Sequence, residues 1–416
     1  MIKIGHPQIE TKEGKTYLKA FINNDAENVN EWLWFATDEA YGRYFCQETS
    51  DAFVLPMILR AVKTHQDVYV ESAMSERLFH NLNESVFYAM CKTNEKKTGE
   101  KYKNIVKIHC DNLISKRYEN NNSVGTGCSL GVDSFAVIKR YFFNNESLPS
   151  YKITHLTLFN AGAFGSKEKE GARKSFFNEI ERSKKFADKL GLPFVWVDSN
   201  IRSFFPEFSF DWSHTYLNMS VVLSMQKLWR KYLYASGYSV DHLEFDIDDS
   251  AKYEPYLIPM LSTENTELIS ANMNMRRSDK VDFISDDKMV QENLYVCLKE
   301  QIRNNPNSKY VYKGNYLNCG QCKKCHRTML QLDILGKEDL YRNIFDYVKW
   351  PKEKEEYIAE VVVGKDKDLM YHDLYESMLE HGYPLPLFKL KLLYYKIHIS
   401  WKIRSVWRRM KKALHF

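Results

Sequence analysis

No apolar stretch follows Met1-Ile2-Lys3-Ile4-Gly5-His6-Pro7, so the opening residues do not read as a secretory signal. No uncharged apolar run is long enough to span a bilayer. Internal repeats and low-complexity tracts are also missing, which sets aside solenoids, fibres and disordered arrays. The eight cysteines do not spread like a disulfide framework, because three of them fall within seven residues as metal ligands do. A reducing cytoplasm is the expected setting.

The 416 residues are 44% hydrophobic and 27% charged, an ordinary globular composition with room for two or three full-sized cores. The net charge of +5 hides an asymmetry. From Lys389 onward there are nine Lys or Arg and no Asp or Glu, so the rest of the chain is mildly acidic.

Residues 1–120 read as an α+β domain, with short strands expected at 17–22, 32–36, 68–70 and 106–109. Gly14-Lys15-Thr16 mimics the end of a phosphate loop, but Ile9 holds the upstream glycine position, so it is discarded. The polar turn Asn120-Asn121-Asn122 closes this part. From 121 to 285 strands and helices alternate. Strands are expected at 124–128, 153–159, 194–197 and 240–245, with helices at 134–143, 172–190 and 216–235. Phe176, Ile180, Ser183, Ala187 and Leu190 form one stripe at helical spacing, with Gly191 as C-cap. This rhythm predicts an α/β fold, a Rossmann-like doubly wound and mainly parallel sheet that binds ligands at its carboxyl edge. Residues 286–385 read as a helical region around the cysteines, and 386–416 as a basic tail.

Ser129-Leu130-Gly131-Val132-Asp133-Ser134 joins the first strand of that sheet to its helix. A helix N-terminus offers unpaired N–H groups and the positive end of a dipole, which suits phosphate. Asp133 belongs beside phosphates only if Mg²⁺ bridges them. The segment resembles the SGGxDS signature of the PP-loop ATP pyrophosphatases, whose fold is this same Rossmann-like sheet. The resemblance implies ATP as cofactor, held by Ser129, Leu130, Gly131, Val132, Asp133 and Ser134, with Mg²⁺ on Asp133. It also implies that Phe159 and Asn160, at the end of the second strand, face the adenine. Leu130 departs from the signature, which has glycine there. If that position needs positive φ, leucine costs energy.

Cys319, Cys322 and Cys325 make a C-x2-C-x2-C run, and Cys297 lies upstream. Four thiolates at this spacing suit tetrahedral Zn²⁺ with no open position, hence a structural metal. An iron–sulfur cluster is the rival reading, and His326 an alternative ligand. A PP-loop followed by CGxCxxC is similar to 7-cyano-7-deazaguanine synthase-like proteins, over roughly half of the chain. The N-terminal domain and basic tail set this chain apart from the synthase, so its substrate is not carried over.

Leu261-Ser262-Thr263-Glu264-Asn265 reads as a loop near the carboxyl edge of the sheet. Beyond it, Arg277, Ser278 and Lys280 at a helix start could hold a second anion, either a phosphate of ATP or the substrate, or Ser278 could simply cap the helix. Asp133, Ser134 and Lys280 are the expected catalytic residues. Asp198 reads as a ligand contact or a turn cap, and His214 as a surface or capping residue. Asp246, Asp248, Asp249 and Glu254 read as an acidic loop, solvated or else holding Mg²⁺.

In the tail, Leu392, Tyr395, Ile399, Ile403, Val406, Met410 and Ala413 form a helical stripe among Lys and Arg. Such a basic amphipathic helix fits the inner face of a membrane, a protein partner or, third, nucleic acid. The expected activity is ATP cleavage to AMP and pyrophosphate through adenylylation of a small-molecule carboxylate or amide, which a nitrogen nucleophile then attacks. Two alternatives stay open: a nucleotide sensor with a degenerate loop, and a tRNA-modifying enzyme.

Overall fold

The computed structural model describes residues 1–144, 148–164, 170–205, 208–297 and 314–396. Most of the tail stripe, from Ile399 onward, lies outside them. The chain divides into two compact units, Met1–Met275 and Arg276–Phe416.

The first unit is built on one mixed sheet of eleven strands: β1 (Ile2–Ile4), β2 (Gln8–Lys12), β3 (Lys15–Asn24), β4 (Val29–Asp38), β5 (Val68–Ser75), β6 (Ile108–Ile114), β7 (Ser123–Gly127), β8 (His155–Phe159), β9 (Phe194–Ser199), β10 (Trp229–Ala235) and β11 (Glu267–Ala271). Their order is β11-β10-β7-β8-β9-β4-β3-β1-β5-β6, with β2 paired to β3. The strands from β11 to β9 are parallel, whereas β9–β4, β4–β3 and β3–β1 are antiparallel. The chain leaves β7 toward β8 and β9, then returns to its other side for β10 and β11. That is a doubly wound, Rossmann-like arrangement with its topological switch at β7.

Sequence explains both halves. β8 and β9 are nearly all buried, as parallel strands covered on both faces must be. β3 alternates buried and partly exposed residues, because one face of its ribbon meets solvent. The halves join through only two register pairs, Phe35↔Ser199 and Ala36↔Asp198. Side chains reinforce the seam: Thr37 Oγ1 donates to the Trp196 carbonyl at 2.7 Å, and Asn200 bonds the backbone of both Trp32 and Trp34 at 2.8 Å.

Two expected elements are corrected. The helix expected at 216–235 is helix Phe210–Ser224, capped by Ser209, followed by a turn and β10. The helix is buried over most of its length and β10 does not alternate, so period could not separate a buried helix from a buried strand. The aromatic, β-favouring Trp229, Tyr232 and Tyr234 decide for strand. The strand expected at 240–245 is a short 3-10 turn, Val240–His242, with Val240, Leu243 and Phe245 all exposed.

The second unit packs helices Arg277–Ser285, Lys288–Asn293, Lys323–Ile334, Trp350–Gly364 and Leu369–Glu380. Gln331 Nε2 bonds Ser377 Oγ at 2.8 Å, and the Tyr341 hydroxyl donates to the Ser285 carbonyl at 3.0 Å. Among the described residues no helix is long and apolar enough to cross a membrane.

Candidate functional site

β7 ends at Gly127, in the middle of the parallel strands. Its middle glycine, Gly125, is required by packing, since a Cβ there would lie 2.8 Å from the Trp229 ring. Cys128 to Gly131 form the loop, and helix Val132–Ile138 runs on into a π-turn at Lys139–Phe143. Gly131 is the N-cap in extended conformation, and no side chain caps the helix. The positive end of its dipole therefore stands at the switch point of the sheet, where doubly wound folds take their ligands.

Leu130 carries the strain of this loop. Its φ is +56°, the left-handed region that leucine rarely adopts, while its side chain is 2% exposed. The conformation costs on the order of 1–2 kcal/mol. Burying the leucine side chain offsets about 2 kcal/mol of that. Neighbouring bonds fix the loop: Ser134 Oγ donates to the Gly127 carbonyl at 3.0 Å, and Ser183 Oγ donates to the Cys128 carbonyl at 2.7 Å. Burial pushes the Cys128 thiol up to about 12, which removes it as a nucleophile. Ser129 is exposed and Asp133 half-buried.

Phe159 stacks on Tyr232 with centroids 5.9 Å apart and is 8% exposed, so Tyr232 covers one of its faces. Asn160 Nδ2 donates to Asp198 Oδ1 at 2.7 Å. Asp198 thus orients Asn160 at the carboxyl edge. Glu254, expected in a solvated acidic loop, is instead a buried polar group. It accepts from Thr215 Oγ1 at 2.9 Å and from the Gly237 N–H at 3.0 Å. His214 is no surface residue: it faces the Tyr234 hydroxyl at 3.3 Å, and burial lowers its pKa to about 4. Burial first, then the charges of Glu254 and Asp133 among its neighbours, raise the Tyr234 phenol well above its usual value. Tyr234 was hidden inside the helix expected at 216–235, while His214 and Glu254 were expected at the surface and both lie inside the fold.

Segment 261–265 is also corrected. It precedes β11 and so stands at the amino edge of the parallel strands. Its side chains tie backbone together: Ser262 Oγ accepts from the Leu268 N–H at 3.0 Å, and Glu264 accepts from the Arg77 N–H at 2.7 Å. In the acidic loop, Lys252 pairs with Asp246 at 2.9 Å, and Lys97 with Asp248.

In the second unit the N-cap of helix Arg277–Ser285 is Arg276, whose N–H and guanidinium both bond Asp279. The capping role read for Ser278 is therefore filled by another residue. Ser278 is 3% exposed and Lys280 fully buried.

Cys297, Cys319, Cys322 and Cys325 converge, with all four sulfurs within 4.8 Å of one another. Cys322 and Cys325 lie 3.4 Å apart and Cys319 and Cys325 3.9 Å, far from disulfide length. Tetrahedral zinc at its usual Zn–S distance needs sulfurs about 3.8 Å apart. Asn318 builds the scaffold by bonding the Val296 N–H, the Leu294 carbonyl and the Ile344 carbonyl. Gly320 makes the turn at φ +63°, where a Cβ would fall 1.7 Å from the Asp346 carbonyl oxygen. Bonds to neighbouring thiols and burial push Cys297 and Cys325 up, while the bond to Cys297 lowers Cys319 to about 7. Without a cation these thiols cannot all ionise together. His326 is not a fifth donor: its Nε2 lies 3.1 Å from Glu353, with Trp350 and Tyr357 against its ring.

These four cysteines form a buried cluster able to coordinate a metal ion, on an α/β fold of nucleotide-binding type. No family model, curated protein or solved structure matches the chain.

Proposed function

We propose that the chain is a PP-loop ATP pyrophosphatase that adenylylates a small-molecule carboxylate or amide for ligation to a nitrogen nucleophile. One observation carries this reading: the backbone of Leu130. The SGGxDS signature places glycine at a position that here has φ +56°, so the loop takes the shape that glycine serves even though leucine fills it.

Mg–ATP lies across residues 129–134, its phosphates on the uncapped N-terminus of helix Val132–Ile138. Asp133 holds Mg²⁺, and Phe159 and Asn160 face the base. The substrate oxygen attacks the α-phosphorus as pyrophosphate leaves, giving an acyl adenylate from a carboxylate or an O-adenylylated imidate from an amide. The nitrogen nucleophile then displaces AMP. Positioning and electrostatics supply the catalysis, so no side-chain nucleophile is needed. Zinc in the cysteine cluster is structural, because four thiolates leave no open position.

A second reading also draws on Leu130, namely a nucleotide sensor whose loop binds without turnover. Segment 387–396 exposes Phe388, Leu392 and Tyr395 along one helical side beside Lys389, Lys391 and Lys396. That pattern supports attachment to a membrane surface or a protein partner. A metabolite screen that follows pyrophosphate and AMP release tests the enzyme reading. ADP as the sole nucleotide product would sink it, and tight binding without turnover across the screen would favour the sensor.

A further inference from the structure

Residues 387–396 form a helix with two unlike sides. Leu390 is 2% exposed, and Leu393 and Tyr394 are half-buried, so one side packs inward. Lys389 reinforces the docking through an ion pair with Glu355 of helix Trp350–Gly364. On the other side Phe388, Leu392 and Tyr395 fall at spacings of four and three, and they are 80%, 55% and 56% exposed. Helical periodicity sets Lys391 and Lys396, both exposed, on either flank of that line. The docked side therefore holds three large apolar side chains out in water between two cations.

Charge and composition select what covers this face. Nine Lys or Arg and no Asp or Glu occur from Lys389 onward, so the surface that meets them is negatively charged. Between Lys389 and Lys412 no more than five residues pass without a Lys or Arg, which is too few to span a bilayer. A nucleic acid would neutralise the cations but leave Phe388 and Leu392 in water. Protein interfaces are poor in Lys, whereas here Lys borders the apolar line on both sides. A helix lying in a lipid headgroup layer needs both features: rings and leucines enter the acyl boundary, and lysine stems reach back to the phosphates.

We propose that the helix at 387–396, with the basic sequence that follows it, seats the protein on an anionic lipid surface. Phe388, Leu392 and Tyr395 enter the acyl boundary, and Lys391 and Lys396 meet the lipid phosphates. The inference deepens the attachment reading given above and does not depend on the loop at 129–134. Beyond Lys396 the apolar spacing runs on in the sequence through Ile399, Ile403, Val406, Met410 and Ala413, among six further cations.

Co-sedimentation of the full, zinc-loaded chain with lipid vesicles tests this. One set is phosphatidylcholine alone, and the other is phosphatidylcholine and phosphatidylglycerol in equal parts. The native protein should bind the mixed vesicles at least tenfold more tightly than the neutral ones, and raised salt should weaken that binding. At about fivefold per cation, K391Q combined with K396Q should bind at least tenfold more weakly. F388S combined with L392S should also lose at least tenfold, which a purely electrostatic contact would not. All four side chains are exposed, so the thermal midpoints of both variants should match that of the native chain. D133A should bind vesicles as the native protein does, so a failure of the nucleotide reading leaves this result standing. Equal binding to both vesicle types, or no binding at millimolar lipid, overturns the proposal, and the second result leaves a protein partner. Native-like vesicle binding by F388S with L392S overturns it too, and tight binding of duplex RNA or DNA by that variant reassigns the tail to nucleic acid.

Discussion

The Ser134 hydroxyl donates to the carbonyl oxygen of Gly127 at 3.0 Å, closing the two ends of the loop on each other. The last residue of the central strand is thereby tied to the first turn of the helix that follows. Replacing Ser134 with alanine should cost about 1 kcal/mol of stability, the ordinary worth of one such bond. It should weaken Mg–ATP binding about tenfold, because the phosphate-facing amides lose their fixed relation to the strand. Chemical denaturation and nucleotide titration of S134A check the two effects separately. A stability loss with unaltered nucleotide affinity would remove Ser134 from the site.

Leu130 gives a prediction that runs against ordinary experience. At most positions alanine is at least as stable as glycine, because glycine gains more freedom on unfolding. At φ +56° the order should invert. L130G and L130A lose the same buried side chain, but only alanine keeps the left-handed strain. L130G should be the more stable by about 1 kcal/mol. A thermal midpoint for L130A equal to or above that of L130G would show that the position carries no such strain.

How much of this was legible in the sequence depends on how local each signal is. The strand, loop and helix around 123–138 were readable because the signal is contiguous, and the cysteine cluster because metal ligands keep short spacings. Helix Phe210–Ser224 and β10 were merged into one helix, because neither element alternates polar and apolar residues when both are buried. Glu254 and Tyr234 lie 20 positions apart in sequence and meet only after β10 is placed in the sheet. Ser278, Arg327 and Asp373 share a water-sized cavity for the same reason, since three helices far apart in the chain must pack first.

Gly320 supports the metal site through geometry. A methyl group there would collide with the Asp346 carbonyl at 1.7 Å, so the turn cannot close around a metal as it stands. G320A should lose most of the bound zinc, and its thermal midpoint should fall toward that of chelator-treated native protein. Elemental analysis of purified G320A gives the answer. One zinc per chain in this variant would mean that the turn has more slack than the geometry allows.

Buried histidines set a direction for pH dependence. Burial lowers His214 and His155 to about 4, against an unfolded value near 6.5. Between those values the unfolded chain takes up protons that the fold refuses, so stability is full above about pH 6.5 and falls as pH drops toward 4. Each histidine contributes up to about 1.4 kcal/mol per pH unit in that window. The cysteine cluster also sheds metal in acid, so the comparison is between variant and native protein at each pH. H214Q should lose less stability than the native chain between pH 6.5 and 4.5. Parallel stability curves would mean that the histidine titrates as freely in the fold as outside it.

The claim that residues 129–134 hold the phosphates of ATP is tested most directly by titrating Mg–ATP into the native protein and D133A. We expect the native chain to bind one nucleotide in the micromolar range. D133A should bind at least tenfold more weakly when Mg²⁺ is present, with the difference vanishing when it is chelated. Absence of nucleotide binding by the native protein, or equal Mg²⁺-dependent affinity in both proteins, would contradict the account.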